Sequence, residues 1–176
     1  MFAQVENPFP LKGRAEISAA FSYQSFKEKD SEERDWMWVL PIRGGYYLNQ
    51  YAGIFGEIFL TDFKGGEEEE GESGRILSLL AEFGYPTANR GVIPFALVGY
   101  GVSNGSLFLD RIALKNYSDV TLGVLNIGAG LKLPVGDRVL LRGELRYLNF
   151  SGSNGSEKID ISFNYINFLI GMALVL

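Results

Sequence analysis

The sequence of 176 residues contains no cysteine and no histidine. Without cysteine the chain has neither a disulfide framework nor a thiolate metal site. Without histidine it lacks the commonest general base, the commonest metal ligand and the side chain that titrates near neutral pH. These two absences exclude most catalytic and metal-binding arrangements, so we expect no enzyme activity, no cofactor and no metal centre.

Basic residues are few, since 16 Lys and Arg stand against 21 Asp and Glu and leave a net charge of −5. This balance argues against nucleic acid as a partner, because phosphate binding needs concentrated basic residues. Long apolar runs are also missing. The longest uncharged run, Gly91 to Leu109, contains Pro94 and the turn pair Asn104-Gly105, which does not suit a membrane-spanning helix. A chain of this kind could cross a membrane only as a closed β-barrel.

The sequence does contain a hydrophobic period of two residues, which is typical of β-strands. In the clearest example, Leu141 and Leu145 share one face of a segment whose other face carries Arg142, Glu144 and Arg146. Another segment is apolar on both faces, so its register stays open. Eight segments have the length that a tilted strand needs to cross a bilayer: residues 14–25, 36–48, 51–61, 75–85, 92–103 (the one with the open register), 120–133, 139–149 and 159–176.

The charges in the middle of these segments lie opposite the apolar faces. There are four acidic and four basic residues, so the set is neutral: Glu16, Arg43, Glu57, Glu82, Lys132, Arg142, Glu144 and Arg146. A closed interior favours such a balance, because buried charge is costly unless it is paired. We therefore predict a structural charge cluster inside the barrel and an apolar outer surface in contact with lipid. Aromatic residues near the segment ends, including Trp36, Trp38, Tyr46, Tyr47 and Tyr51, suit the two bilayer interfaces.

The connections between segments alternate between short turns and longer polar stretches, as they do in transmembrane barrels with short periplasmic turns. The predicted fold is therefore all-β: an eight-stranded antiparallel up-and-down transmembrane β-barrel with a filled polar interior. We expect a single domain over residues 1–176, in which residues 1–12 form a periplasmic N-terminal segment.

The stretch from Gly128 to Tyr147, GAGLKLPVGDRVLLRGELRY, resembles the sixth strand, turn and seventh strand of OmpA/OmpX-like outer-membrane barrels, and Pro94 to Gly101 resembles their fifth strand. The resemblance covers the whole chain as a layout and is specific over residues 91–150. It implies a protein of the Gram-negative outer membrane, from which a secretory signal peptide has been removed. One departure is Leu176, since these barrels usually end in an aromatic residue that serves as an insertion signal.

Two other interpretations of the charges and the apolar faces remain open. In a soluble lipocalin-like barrel the apolar face would line a ligand cavity and the charges would lie outside. Alternatively, Glu57 and Glu82 on neighbouring strands could act as an acid/base pair. We favour a structural role, in which each glutamate pairs with Arg43, Arg142 or Arg146, because an eight-stranded barrel is only wide enough for its own side chains.

An acidic run in the second long connection is a possible site for divalent cations or for a basic partner, since oxygen ligands suit Ca²⁺. Its residues are Glu67, Glu68, Glu69, Glu70 and Glu72. Runs of like charge are usually solvated, so this is the weaker interpretation. The expected function is that of a non-enzymatic outer-membrane protein that acts through its extracellular loops, alone or within a larger complex. Its expected partners are membrane lipid, lipopolysaccharide and other outer-membrane or cell-surface proteins.

Overall fold

The computed structural model of the protein describes residues 9–27, 34–64, 72–85, 91–104, 121–154 and 159–176. These ranges contain eight β-strands: β1 (Ala15–Lys27), β2 (Arg34–Tyr47), β3 (Ala52–Lys64), β4 (Glu72–Gly84), β5 (Ile93–Asn104), β6 (Leu122–Pro134), β7 (Val139–Asn154) and β8 (Ile159–Val175). Within the described ranges, no helix is long and apolar enough to cross a membrane.

The strands form one closed barrel in which each strand pairs antiparallel with the next, and β8 returns to pair with β1. The closing ladder runs from Glu16↔Val175 to Phe21↔Ile170. Closure matters because a barrel can satisfy its backbone hydrogen bonds between strands, without water. The predicted eight-stranded antiparallel meander is confirmed.

Successive side chains point alternately outward and inward, as the two-residue period predicted. On the outside, Leu79 is 64% exposed and Ile170 is 62% exposed, whereas Val39 and Phe55 on the inside are fully buried. β5, whose register the sequence left open, follows the same alternation: Phe95 and Leu97 lie inside the barrel, and Tyr100 lies outside.

Several strands extend further into the predicted loops than the sequence pattern indicated. β7 continues to Asn154, and β3 continues to Lys64. At the other end of the barrel, the turns at residues 48–51 and 135–138 are short. In the turn between β2 and β3, the Asn49 side-chain oxygen accepts hydrogen bonds from the backbone N–H groups of Tyr51 at 2.7 Å and Ala52 at 2.9 Å. Such side-chain caps are a common way of building short turns.

The interior of the barrel is filled in three layers. The middle layer is ionic. The end of the barrel at which β1 begins and β8 ends holds a cluster that we call the lower apolar layer: Phe9, Leu11, Tyr47, Phe55, Leu80, Ile93, Phe95, Leu97, Leu140, Ala173 and Val175. The opposite end holds the upper apolar layer: Met37, Val39, Phe59, Ile76, Leu122, Val124, Leu148 and Phe150, with Phe163 and Tyr165 packed against it. The filled interior is thus polar in its middle and apolar at both ends.

Candidate functional site in the barrel interior

The structure brings all eight predicted interior charges together in the middle layer. We call this set the ionic cluster: Glu16 from β1, Arg43 from β2, Glu57 from β3, Glu82 from β4, Lys132 from β6, and Arg142, Glu144 and Arg146 from β7. None of the eight is more than 4% exposed. β7 contributes three because every second residue of a strand points inward, and three consecutive inward positions of β7 are charged.

Four members of the ionic cluster form a closed circuit of ion pairs. Arg43 Nη2 lies 2.8 Å from Glu57 Oε2, and Arg146 Nη1 lies 2.6 Å from Glu57 Oε1. Glu144 completes the circuit by pairing with Arg146 and, at 3.5 Å, with Arg43 Nη2. Because each group has an opposite charge on both sides, the circuit offsets much of the cost of removing these charges from water.

The remaining members extend this circuit toward the lower apolar layer. Lys132 Nζ lies 2.6 Å from Glu82 Oε1 and 2.7 Å from Glu16 Oε2. Arg142 Nη1 lies 2.9 Å from Glu82 Oε2, and Arg142 Nη2 lies 2.7 Å from Glu144 Oε2. Arg142 therefore links the lysine side of the cluster to the closed circuit.

Tyr47 is a member of this network that the sequence interpretation placed wrongly. We expected it among the aromatic residues at the membrane interface, but it is 2% exposed. Its hydroxyl donates to Glu16 Oε2 at 2.5 Å, and Lys132 Nζ donates to the same hydroxyl at 2.5 Å. The inward position of Tyr47 could have been predicted from the two-residue period, since Tyr46 and Leu48 face outward and the residue between them must face inward.

Aromatic rings also lie against the cations. The Arg142 guanidinium carbon is 4.1 Å from the centre of the Phe95 ring, and Lys132 Nζ is 5.4 Å from the same centre. These distances are within the range of cation–π attraction. Phe95 has room for this contact because its partner across the ladder is Gly130, where a Cβ atom would come within 2.7 Å of the ring.

Comparison with known proteins identifies the family of the chain. Over residues 3–172 the sequence matches the family described as outer membrane protein beta-barrel domain. The chain belongs to this family. No curated protein matches the sequence.

Solved structures of other outer-membrane barrels are similar to this one. The N-terminal β-barrel domain of OprF from Pseudomonas aeruginosa has 18% identity and a TM-score of 0.58, with 94% of this chain and 98% of that chain covered. Neisserial surface protein A has 14% identity and a TM-score of 0.56, covering 92% and 95%. Ail, the attachment invasion locus protein of Yersinia pestis, has 17% identity and a TM-score of 0.51, covering 94% and 99%. At these identities the likeness shows the shared fold.

The bacterial outer membrane is therefore the location of this barrel, as predicted, and its exposed aliphatic face contacts lipid. In outer-membrane β-barrel proteins the short turns are periplasmic. This places the lower apolar layer and the turn at residues 48–51 at the periplasmic end, and the upper apolar layer at the extracellular end. The lipocalin-like alternative has no support, because the aliphatic faces point outward and the charges point inward.

The acids of the ionic cluster already have partners within it. Both carboxylate oxygens of Glu57 accept hydrogen bonds from Arg146 or Arg43, and both oxygens of Glu82 accept from Lys132, Arg142 or Arg43. An acid/base pair would need an oxygen that faces the substrate. The packed layers above and below also separate these groups from water.

The acidic run lies mostly beyond what the structure describes. Glu67, Glu68, Glu69 and Glu70 fall outside the described residues, and Glu72 is the first residue of β4. Among the described residues, no group of three or more acidic side chains is arranged to hold a metal ion. The cation or partner site in this run stays a prediction.

Proposed function

We propose that this outer-membrane β-barrel protein is a non-enzymatic structural and interaction protein. In this proposal the barrel is a closed anchor, and the extracellular connections bind other molecules of the cell surface, either by the protein alone or as a subunit of a larger complex. The observation that carries the proposal is the filled interior, in which a neutral ionic cluster lies between two packed apolar layers.

A filled interior favours an anchor over a pore for a physical reason. Arg146, Lys132 and Glu16 are fully buried, and a solute on its way through would have to separate several ion pairs in a region of low dielectric constant. Breaking one buried pair by removing a partner typically costs about 3–5 kcal/mol. A permeation route through this cluster is therefore unfavourable, whereas a rigid support for loops is favoured.

The extracellular connections are the part of the chain that we expect to recognise a specific partner. The longest of them, between β5 and β6, spans residues 105–121, and long loops on a rigid scaffold commonly carry binding function. Of the similar structures, one is an attachment invasion locus protein and another is a surface protein. By analogy with these two proteins, a role in contact at the cell surface is the interpretation to test.

Lipid and lipopolysaccharide are proposed as the immediate surroundings of the outer rim. Tyr23 and Trp36 stack there with ring centres 6.5 Å apart, and Trp38 donates its indole N–H to Asp62 Oδ2 at 3.1 Å. Amphipathic rings of this kind are enriched at membrane–water interfaces.

Osmotic swelling of liposomes tests the closed anchor. Vesicles that contain the folded protein should swell in small sugars no faster than protein-free vesicles. A porin reconstituted at the same protein-to-lipid ratio serves as the positive control. Swelling that rises with the amount of the parent protein would contradict the proposal.

Cross-linking in native outer membranes tests the role of the loops. Replacement of residues 105–120 by a short Gly/Ser connection should abolish a cross-linked neighbour that the parent captures, while the barrel stays folded. The matched control is replacement of the periplasmic turn at residues 135–138, which should leave the cross-link unchanged. Equal cross-linking by the parent and both variants would argue against recognition through this loop.

A further inference from the structure

The residues that precede β1 enter the periplasmic mouth of the barrel. Phe9 is 3% exposed and Leu11 is 1% exposed, and both belong to the lower apolar layer. Pro10 and Lys12 between and after them are exposed. The segment therefore lies across the mouth with one side toward the interior and the other toward water, a position that the predicted periplasmic N-terminal segment over residues 1–12 did not include.

A side chain of the β2–β3 turn holds the backbone of this segment. Gln50 Nε2 donates a hydrogen bond to the carbonyl oxygen of Phe9 at 3.3 Å, and Gln50 Oε1 accepts one from the backbone N–H of Leu11 at 3.0 Å. The amide thus serves both a donor and an acceptor of the main chain, in the way that a neighbouring strand would. Residues 9 and 11 are fixed at the point where their side chains enter the interior.

A turn at Gly13 returns the chain from the mouth to β1. Gly13 has a φ of +75°, a backbone conformation that residues with a Cβ atom rarely adopt. Its N–H donates to the carbonyl oxygen of Tyr47 at 3.0 Å, and the N–H of Arg14 donates to the carbonyl oxygen of Leu11 at 3.0 Å. The backbone conformation and hydrogen bonds of this turn therefore fix the path by which the segment enters the barrel.

The segment covers the periplasmic side of the ionic cluster. Tyr47 connects the two regions, because its ring belongs to the lower apolar layer and its hydroxyl donates to Glu16. Lys132 lies directly beyond it, with Nζ 5.2 Å from the centre of the Tyr47 ring. Phe9 and Leu11 therefore form part of the apolar layer that lies between the periplasm and this tyrosine and lysine.

We propose that Phe9–Gly13 is a tethered plug that closes the periplasmic mouth and controls the access of water and solutes to the ionic cluster. The plug is held by the buried side chains of Phe9 and Leu11, by the hydrogen bonds of Gln50 and by the turn at Gly13. A short segment that lies outside the strands of the barrel can open locally while the barrel remains folded. The upper apolar layer still closes the other end, so opening of the plug would give access from the periplasm without creating a channel.

Thiol labelling tests the plug directly, because the parent chain has no cysteine. Ala173, which is 2% exposed in the lower apolar layer, is changed to cysteine as the reporter, with Val175→Cys as a second reporter if the first variant folds poorly. A charged methanethiosulfonate reagent is added to the folded protein in phospholipid vesicles or micelles. With an intact plug the reporter should react slowly, and Gln50→Ala should raise its labelling rate by about tenfold, since the hydrogen bonds of Gln50 to the backbone of Phe9, Leu11 and Lys12 are lost.

Three variants complete the experiment. Leu11→Ala should also accelerate labelling, because it removes a buried anchor. Lys12→Ala should leave the rate unchanged, since that side chain is exposed in the same segment. Asp137→Cys, in an exposed turn, should react quickly in every background and so verifies the reagent. Fast labelling of the reporter in the parent, or equal protection in the parent, Gln50→Ala and Leu11→Ala backgrounds, would overturn the proposal.

Discussion

The ionic cluster and the upper apolar layer lie on the inward faces of the same strands, yet they are stabilised differently. On β7, Arg146 belongs to the cluster and Leu148, two residues further, belongs to the apolar layer. A charge in the cluster is tolerable only while its partners are present. An aliphatic group in the layer depends on the volume that it fills. Removal of one group should therefore lower the free energy of unfolding by different amounts in the two regions.

Removal of Glu144 should have the largest effect, because it is the partner of three cations. Its carboxylate pairs with Arg43, Arg142 and Arg146. Glu144→Ala leaves these buried guanidiniums with fewer partners, and we expect a loss of about 3–5 kcal/mol in the free energy of unfolding. Urea titration of the protein in phospholipid vesicles would measure the loss.

Two further variants separate loss of the charge from loss of the side chain. Glu144→Gln keeps the shape and should lose part of the same stability, whereas Asp137→Ala removes an acidic residue from an exposed turn and should lose almost none. If Glu144→Ala unfolded at the same urea concentration as the parent, the ionic cluster would not be a closed, mutually dependent network.

The next prediction compares the two faces of one strand. Arg146 is fully buried inside the barrel, while its neighbour Leu145 is 56% exposed on the lipid side. Leu145→Arg would place a guanidinium in hydrocarbon, at a cost of about 2–4 kcal/mol near the midplane of the bilayer. We expect impaired insertion and a lower free energy of unfolding in vesicles.

Leu141→Arg, on the same outward face, should behave in the same way, and Leu145→Ala serves as the matched control that removes the leucine without adding a charge. Insertion and folding of both arginine variants at the level of the parent would mean that this face of β7 does not contact lipid.

The sequence was informative wherever a strand had two chemically different faces. In β7 the charges alternate with apolar residues, so the strand could be predicted from the period, and its lipid-facing side from the neutral set of charges on the opposite face. The pairing in the cluster could be predicted only in part. Arginine partners of Glu57 and Glu82 follow from the sequence, whereas the pair of Lys132 and Glu82 does not, because these residues are 50 positions apart in the chain and lie on strands that are not neighbours in the sheet.

The apolar layers escaped prediction for another reason. Inward residues such as Met37, Phe59 and Ile76 have the same chemistry as the residues that face lipid, so composition does not distinguish the two sides. The open register of β5 has the same cause, since Phe95 and Leu97 belong to the lower apolar layer. Where the interior of a membrane barrel is itself apolar, only the position of the strand in the closed sheet decides which side is inside.

The smallest predicted effect comes from making the same substitution, isoleucine to valine, once inside the barrel and once on its lipid-facing side. Ile76 is 1% exposed in the upper apolar layer, and Ile58 is 45% exposed on the lipid side. Ile76→Val removes a methyl group that packed side chains cannot fully replace, and we expect a loss of about 0.5–1.5 kcal/mol in the free energy of unfolding. Ile58→Val makes the same chemical change where mobile acyl chains can fill the space, so its loss should be clearly smaller. The two values come from parallel urea titrations in the same vesicles. Equal losses for the pair would indicate that the upper apolar layer is as loosely packed as the surrounding lipid, and that the barrel is closed at its extracellular end by the loops rather than by its interior.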